Sequence, residues 1–159
     1  MIAEDDIDIA NLHKLILESR GHTVVLALDG QKCLDSYRQT KDPFDAVVLD
    51  YKMPKLNGIQ VAKEIVRLNP EQRVLLATAV LKETLADCIK DIRRIVEMIQ
   101  KPFEPESLIQ IVEDKSILAK LQKLNASMNE AISDSHSPSN NEVEKLLRQL
   151  KNIQKPGTI

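Results

Sequence analysis

Tryptophan is absent from this chain and aromatic residues make up only 3% of it. That excludes a surface that holds single strands by stacking successive bases. A dominant charge is also missing. The 22 Lys and Arg stand against 24 Asp and Glu, a formal net charge of -2, so no electrostatic case arises for direct nucleic-acid or membrane binding. No apolar run approaches the ~18 residues of a membrane span, and the N-terminus has no basic stretch followed by an apolar core. The expected location is therefore the cytoplasm. Cysteine is scarce: Cys33 and Cys88 fall inside predicted helices without metal-ligand spacing, and are expected as free thiols rather than a disulfide.

What remains is the balance of an ordinary globular protein, with 43% hydrophobic and 29% charged residues. A chain of 159 residues suits one well-buried domain with a short appendage. Two patterns alternate along the first part. Aliphatic or β-branched runs occur at Thr23–Ala27, Ala46–Leu49, Arg73–Thr78 and Ile95–Ile99. Between them, apolar residues recur at helical spacing, such as Ile9, Leu12 and Ile16 before Gly21, and Ile59, Ala62, Ile65 and Val66 before Pro70. Near-continuous apolar strands separated by amphipathic helices predict an α/β fold, a doubly wound parallel sheet covered on both faces. With a first strand at the N-terminus and a last helix opening near Pro105, the prediction is five strands and five helices. The first strand is short. Only Met1, Ile2 and Ala3 precede an acidic cluster, against about five residues in a typical strand, which is expected to weaken the centre of the sheet.

The alternation stops after about Val112. A boundary is drawn between residues 1–113 and a helical tail over 114–159. The tail carries Ile117, Leu121, Leu124 and Met128, a polar linker near 132–141, then Val143, Leu146, Leu150 and Ile153 before Lys155-Pro156-Gly157. Its helices are expected either to pack on the first domain or on each other, or to serve as a short coiled coil for self-association or a ligand helix for a partner. The tail lacks both the room and the basic recognition helix for a compact DNA-binding domain.

Polar residues converge where the strands end. Glu4 and Asp5 follow strand 1, Asp50 ends strand 3, Thr78 ends strand 4 and Lys101 follows strand 5. In a sheet ordered 2-1-3-4-5 these side chains face one crevice. Three crowded carboxylates raise one another's pKa unless a cation neutralises them, and hard oxygen ligands suit Mg²⁺. An ionised Asp50 can attack a phosphorus centre, Lys101 supplies fixed positive charge to the phosphoryl oxygens, and the Thr78 hydroxyl can donate to them. His13, His22 and His136 share no spacing and are expected as surface or packing residues.

Over residues 1 to about 113 the sequence resembles the receiver domain of two-component response regulators. The resemblance rests on Glu4-Asp5, Asp50, Met53-Pro54 with Gly58, Thr78-Ala79 and Lys101-Pro102-Phe103. It implies a flavodoxin-like fold, Asp50 as the phosphoacceptor, and Mg²⁺ held by Glu4, Asp5, Asp50 and the Lys52 backbone carbonyl. Asp6 is left out of the metal set, because Ile9 matches the family's apolar helix position when Asp5 is the second acid. The resemblance also implies a cis Lys101–Pro102 bond and a sensor histidine kinase or phosphotransfer protein as donor. A downstream protein target is expected on the face of the fourth helix, fifth strand and fifth helix, and a homodimer through that face or through the tail.

Two departures from the family pattern stand out. Met98 occupies the switch position where the family often has an aromatic, so the expected switch leans on Thr78. Lys52 and Val80 fall where the family tunes phosphoryl lifetime, and an apolar Val80 is expected to slow self-dephosphorylation. The domain is expected to catalyse only its own phosphorylation and dephosphorylation. A haloacid-dehalogenase-type phosphatase is disfavoured, since Lys52 stands where that mechanism needs a second Asp. The other alternative is a non-phosphorylated pseudo-receiver acting as a protein-interaction module.

Overall fold

The computed structural model describes residues 1–131 and 139–153. The core of the predicted linker, His136 and the Lys155-Pro156-Gly157 stop lie outside the described residues. In chain order the elements are β1 (Ile2–Ala3), α1 (Ile7–Ser19), β2 (Leu26–Ala27), α2 (Gly30–Gln39), β3 (Val47–Asp50), α3 (Gly58–Leu68), β4 (Val74–Thr78) and α4 (Leu81–Asp87). A π-helical turn (Cys88–Ile92) follows, then β5 (Glu97–Gln100), α5 (Pro105–Glu113), α6 (Ser116–Ala131) and α7 (Asn140–Ile153). All pairings are parallel and the strands run in the order β2-β1-β3-β4-β5. This is the predicted doubly wound sheet. Its central strands β3 and β4 are buried at every position, as a parallel sheet covered on both faces requires.

The shortness of β1 propagates to its neighbour. Ile2 and Ala3 pair with Leu26 and Ala27 on one side and with Val48 and Leu49 on the other. The apolar run expected to form a strand from Thr23 thus yields only a two-residue β2, because no β1 residue lies beside Thr23 and Val24. A groove of about 620 Å³ opens there, between Val24 and Val25 on one wall and Asp45 and Ala46 on the other. It lies at the end of the sheet opposite the predicted crevice.

Helix α1 turns a different face inward from the one its Ile9-Leu12-Ile16 spacing suggests. Ala10, His13 and Leu17 are buried, while Ile7, Ile9, Leu12 and Leu15 are exposed. Apolar residues occupy almost the whole circumference of this helix, so periodicity alone does not select the core side. Asp6 caps α1, accepting from the backbone N–H groups of Asp8 and Ile9. The cap commits its carboxylate to the helix start.

Both cysteines are free and buried, and burial pushes the Cys33 thiol up to about 12. A buried ion pair joins the start of β4 to β5. Arg73 is held bidentate by Glu97, with Nε to Oε1 at 2.6 Å and Nη2 to Oε2 at 2.8 Å, and it also donates to the Ile111, Val112 and Asp114 carbonyls. One guanidinium thereby adds donors at the C-terminal end of α5, where the Ile111 carbonyl otherwise has only the Asp114 N–H at 3.2 Å. Burial nevertheless raises the Glu97 pKa, outweighing the lowering by Arg73.

The tail continues the fold. Ile117, Leu121, Leu124 and Met128 of α6 are buried, as are Val143, Leu146 and Leu150 of α7. Asn125 anchors α6 to the chain just before β5, accepting from the Ile95 N–H at 2.6 Å and donating to its carbonyl at 2.9 Å. Helix α7 packs against α4 and α6. Asn140 and Asn141, expected in the linker, instead open α7, because Ser139 and Glu142 exchange hydrogen bonds as a capping box.

Candidate functional site

The strand ends bring the acidic residues together because β1 and β3 are neighbours. Glu4 and Asp5 follow β1, Asp50 closes β3, and their carboxylate oxygens lie within 4.8 Å of one another. Glu4 and Asp50 are buried while Asp5 is exposed, so the cluster is open on one side. Lys101 reaches in from the turn after β5. Its Nζ lies 2.8 Å from Glu4 Oε2 and 3.1 Å from Asp50 Oδ2. The Lys101–Pro102 bond is cis, and the Lys101 N–H donates to the Thr78 carbonyl at 2.7 Å.

Electrostatics follow from that crowding. Burial raises the Asp50 pKa and Glu4 adds to it, while Lys101 and the Lys52 backbone N–H pull it down without cancelling the rise. For Lys101, burial alone lowers the pKa, but the hydrogen bond to Glu4 and the charges of Asp50 and Glu4 outweigh it, giving a net rise. One ammonium thus faces more carboxylate than it neutralises. The donor set suits Mg²⁺: an octahedral ion with bonds of about 2.1 Å spans oxygens up to about 4.2 Å apart, and carboxylates within 4.8 Å of one another can close onto it by a small adjustment.

The close approach of α3 demands glycine at its first position. A Cβ on Gly58 would lie 2.4 Å from the Asp50 carbonyl oxygen, so any side chain there would push α3 off the end of β3. Asn57 and Gln60 form a capping box at the same helix start. The loop between β3 and α3 is held from outside as well. Tyr51 donates to Asp87 Oδ2 at 2.7 Å, a bond that pushes its phenol up to about 12.

Thr78 and Met98 are placed differently from the acids. The Thr78 side chain is buried, but its hydroxyl meets Thr84 Oγ1 at 2.8 Å and accepts from the Val80 N–H at 3.1 Å. Met98 is fully buried in β5, paired with Leu76 of β4. His13 stacks on Phe103 with ring centroids 5.3 Å apart, and its pKa is lowered by burial and then by the Lys101 charge. His22 contacts Glu113 at the surface. Thr84 and Asp87 were not singled out by sequence, since a Thr and an Asp on a short polar helix carry no pattern of their own.

Comparison with known proteins agrees with this geometry. Residues 1–113 match the family model of the response regulator receiver domain. The chain is 31% identical over 114 residues to the transcriptional regulatory protein ZraR of Escherichia coli K12, a match covering 71% of this chain and 25% of that protein. It therefore spans only about a quarter of that relative's length. It is 26% identical over 118 residues to the chemotaxis protein CheY of Thermotoga maritima, covering 73% of this chain and 95% of that one. Among solved structures, the receiver domain of the Francisella response regulator 1452 superposes with a TM-score of 0.61 at 27% identity, over 75% of this chain and 93% of that one. The chain belongs to the response regulator receiver domain family.

Proposed function

We propose that this receiver domain accepts a phosphoryl group on Asp50 from a sensor histidine kinase or phosphotransfer protein, in the presence of Mg²⁺, and signals by conformational switching. The observation that carries the reading is the seat of Lys101, bonded to both Glu4 and Asp50 at the mouth of a three-carboxylate cluster. A salt bridge made only for stability does not need a third, exposed carboxylate beside it.

In this reading an Asp50 oxygen attacks phosphorus, and the bond from phosphorus to the donor nitrogen breaks as the new P–O bond forms. The donor imidazole keeps the released electron pair. Mg²⁺ bound by Glu4, Asp5, Asp50 and the Lys52 carbonyl supplies charge neutralisation for the carboxylates and the incoming phosphoryl oxygens. Lys101 is already oriented by Glu4, so it can turn to the phosphoryl oxygens without being recruited from solvent. Thr78 stands at the end of β4 as the hydroxyl of the switch, and Met98 as the buried residue of β5 that repacks with it. The domain acts as a signalling module, and its chemistry is confined to its own acyl phosphate.

The downstream partner is proposed to meet the face of α4, β5 and α5. The setting is proposed to be the cytoplasm, and among the described residues no helix is long and apolar enough to cross a membrane. The test is incubation with a small phosphodonor and Mg²⁺, read by intact mass on the wild type and on Asp50→Asn. A single phosphoadduct on the wild type, absent from Asp50→Asn, is the expected result. No adduct, or an equal one on both proteins, would overturn the reading.

A further inference from the structure

The hydrogen-bond inventory around Thr78 has a consequence for the tail. The Thr84 hydroxyl carries one proton, and it donates that proton to the Val80 carbonyl at 3.0 Å. With that bond in place, the proton left for the 2.8 Å contact between Thr78 and Thr84 is the one on Thr78. Both side chains are buried, at 1% and 0% exposure, so neither hydroxyl exchanges partners with water. The single proton of Thr78 is thus committed to α4 and is not available to an oxygen on Asp50.

These bonds are the side-chain tethers of the start of α4. Val80 occupies the cap position without a side-chain cap, so the first turn is held by the Val80 N–H on Thr78 and by Thr84 on the Val80 carbonyl. The helix is only seven residues long and runs into a π-helical turn that ends at Arg93 in the left-handed region, φ 58°. A seven-residue helix without a side-chain cap has few bonds at its start, so the loss of one is felt there. Against this helix lies α7, burying Val143, Leu146 and Leu150 in the tail's packing and bridging through Lys82 to Glu144 at 2.9 Å. The α4 part of the proposed partner face is therefore covered by the chain's own last helix. Helix α6 is separately anchored through Asn125, so α7 can leave while α6 stays.

We infer that Thr84 is a positioning residue of the switch, holding the Thr78 hydroxyl on α4 until Asp50 is phosphorylated, and that its release unseats α7 and opens α4 to a partner. This rests on the phosphoacceptor reading and extends it to a regulated surface. A phosphoryl oxygen on Asp50 offers an ionised acceptor, stronger than the neutral Thr84 oxygen, and draws the Thr78 proton away. The start of α4 then loses the Thr78 tether, and the seat of α7 loosens with it.

Hydrogen exchange of the full chain tests this, with intact mass recorded on the same samples. In the wild type, a small phosphodonor with Mg²⁺ is expected to speed exchange over residues 140–153 about fivefold, the equivalent of one neutral hydrogen bond. Thr84→Val, which keeps the shape but not the hydroxyl, is expected to show fast exchange there without phosphate and no further change with it. Thr84→Ser is expected to restore the wild-type response, and exchange in β4 and α3 reports whether each variant is folded. An adduct without any change at 140–153 overturns the inference and leaves the phosphoacceptor reading standing. A full wild-type response in Thr84→Val overturns the role of Thr84. Absence of any adduct removes the phosphoacceptor reading, and this inference with it.

Discussion

The Lys101 ammonium lies 3.1 Å from the Asp50 carboxylate, across the crevice between the turn after β5 and the end of β3. Removing it leaves Asp50 and Glu4 as buried neighbours with no ion-pair partner among the described residues. Lys101→Met is therefore expected to raise the Asp50 pKa further, as a carboxyl carbon NMR titration would show. The same variant is expected to slow phosphoryl acceptance about 100-fold, the usual effect of losing one fixed donor at a developing charge. An unchanged rate by intact mass would count against a catalytic role for Lys101.

Val80 separates lifetime from stability. It is the cap residue of α4 and carries no side-chain cap bond. Val80→Ser puts a good cap there and is expected to stabilise the fold by about 1 kcal/mol in chemical denaturation. If Val80 shields the acyl phosphate as its sequence position implies, the same change shortens the lifetime of the acyl phosphate, followed as loss of the adduct mass over time. A longer or equal lifetime would sink the shielding role.

Arg73 and Glu97 offer a stability test far from the crevice. Glu97→Ala leaves a buried guanidinium without its anion and is expected to cost about 3 to 5 kcal/mol in denaturant midpoint analysis. The double change Arg73→Met with Glu97→Leu is expected to recover part of that loss, because it removes the unpaired charge. Recovery stays incomplete because the Ile111, Val112 and Asp114 carbonyls lose their donor. Full recovery would mean that Arg73 does not hold the end of α5.

His13 gives the fold a pH dependence of definite sign. Burial and then Lys101 lower its pKa below 6.5, so the unfolded chain takes up a proton at pH values where the folded chain resists it. The contribution of neutral His13 is complete above 6.5, declines as pH falls below that value, and is lost once pH passes the folded pKa. His13→Phe keeps an aromatic stack on Phe103 without a proton to bind. Thermal melts between pH 7 and pH 5 are expected to show a smaller loss of midpoint for His13→Phe than for the wild type. Parallel curves would remove His13 as the source.

Much of the fold was readable from one-dimensional pattern, because a parallel sheet covered on both faces forces long apolar runs at β3 and β4 and turns at the strand ends. The acids, Asp50, Thr78 and Lys101 are all legible for that reason: each sits where an apolar run stops. Less legible was α1, whose apolar residues encircle it, so that packing against α5 and β1 chose Ala10, His13 and Leu17 over Ile9 and Leu12. The extent of β2 was equally hidden, since a strand exists only where a partner lies beside it.

The sequence by itself determined the alternation of elements, the parallel sheet and the placing of acidic, hydroxyl and basic residues at the strand ends, because these depend on local pattern and on topology that few alternatives satisfy. Only the tertiary structure decided that the Thr78 hydroxyl meets that of Thr84, that Arg73 reaches the end of α5, and that α7 lies on α4. Those are contacts between residues distant in sequence or on different elements. Their energies depend on distance and burial, and neither is written in the order of the residues.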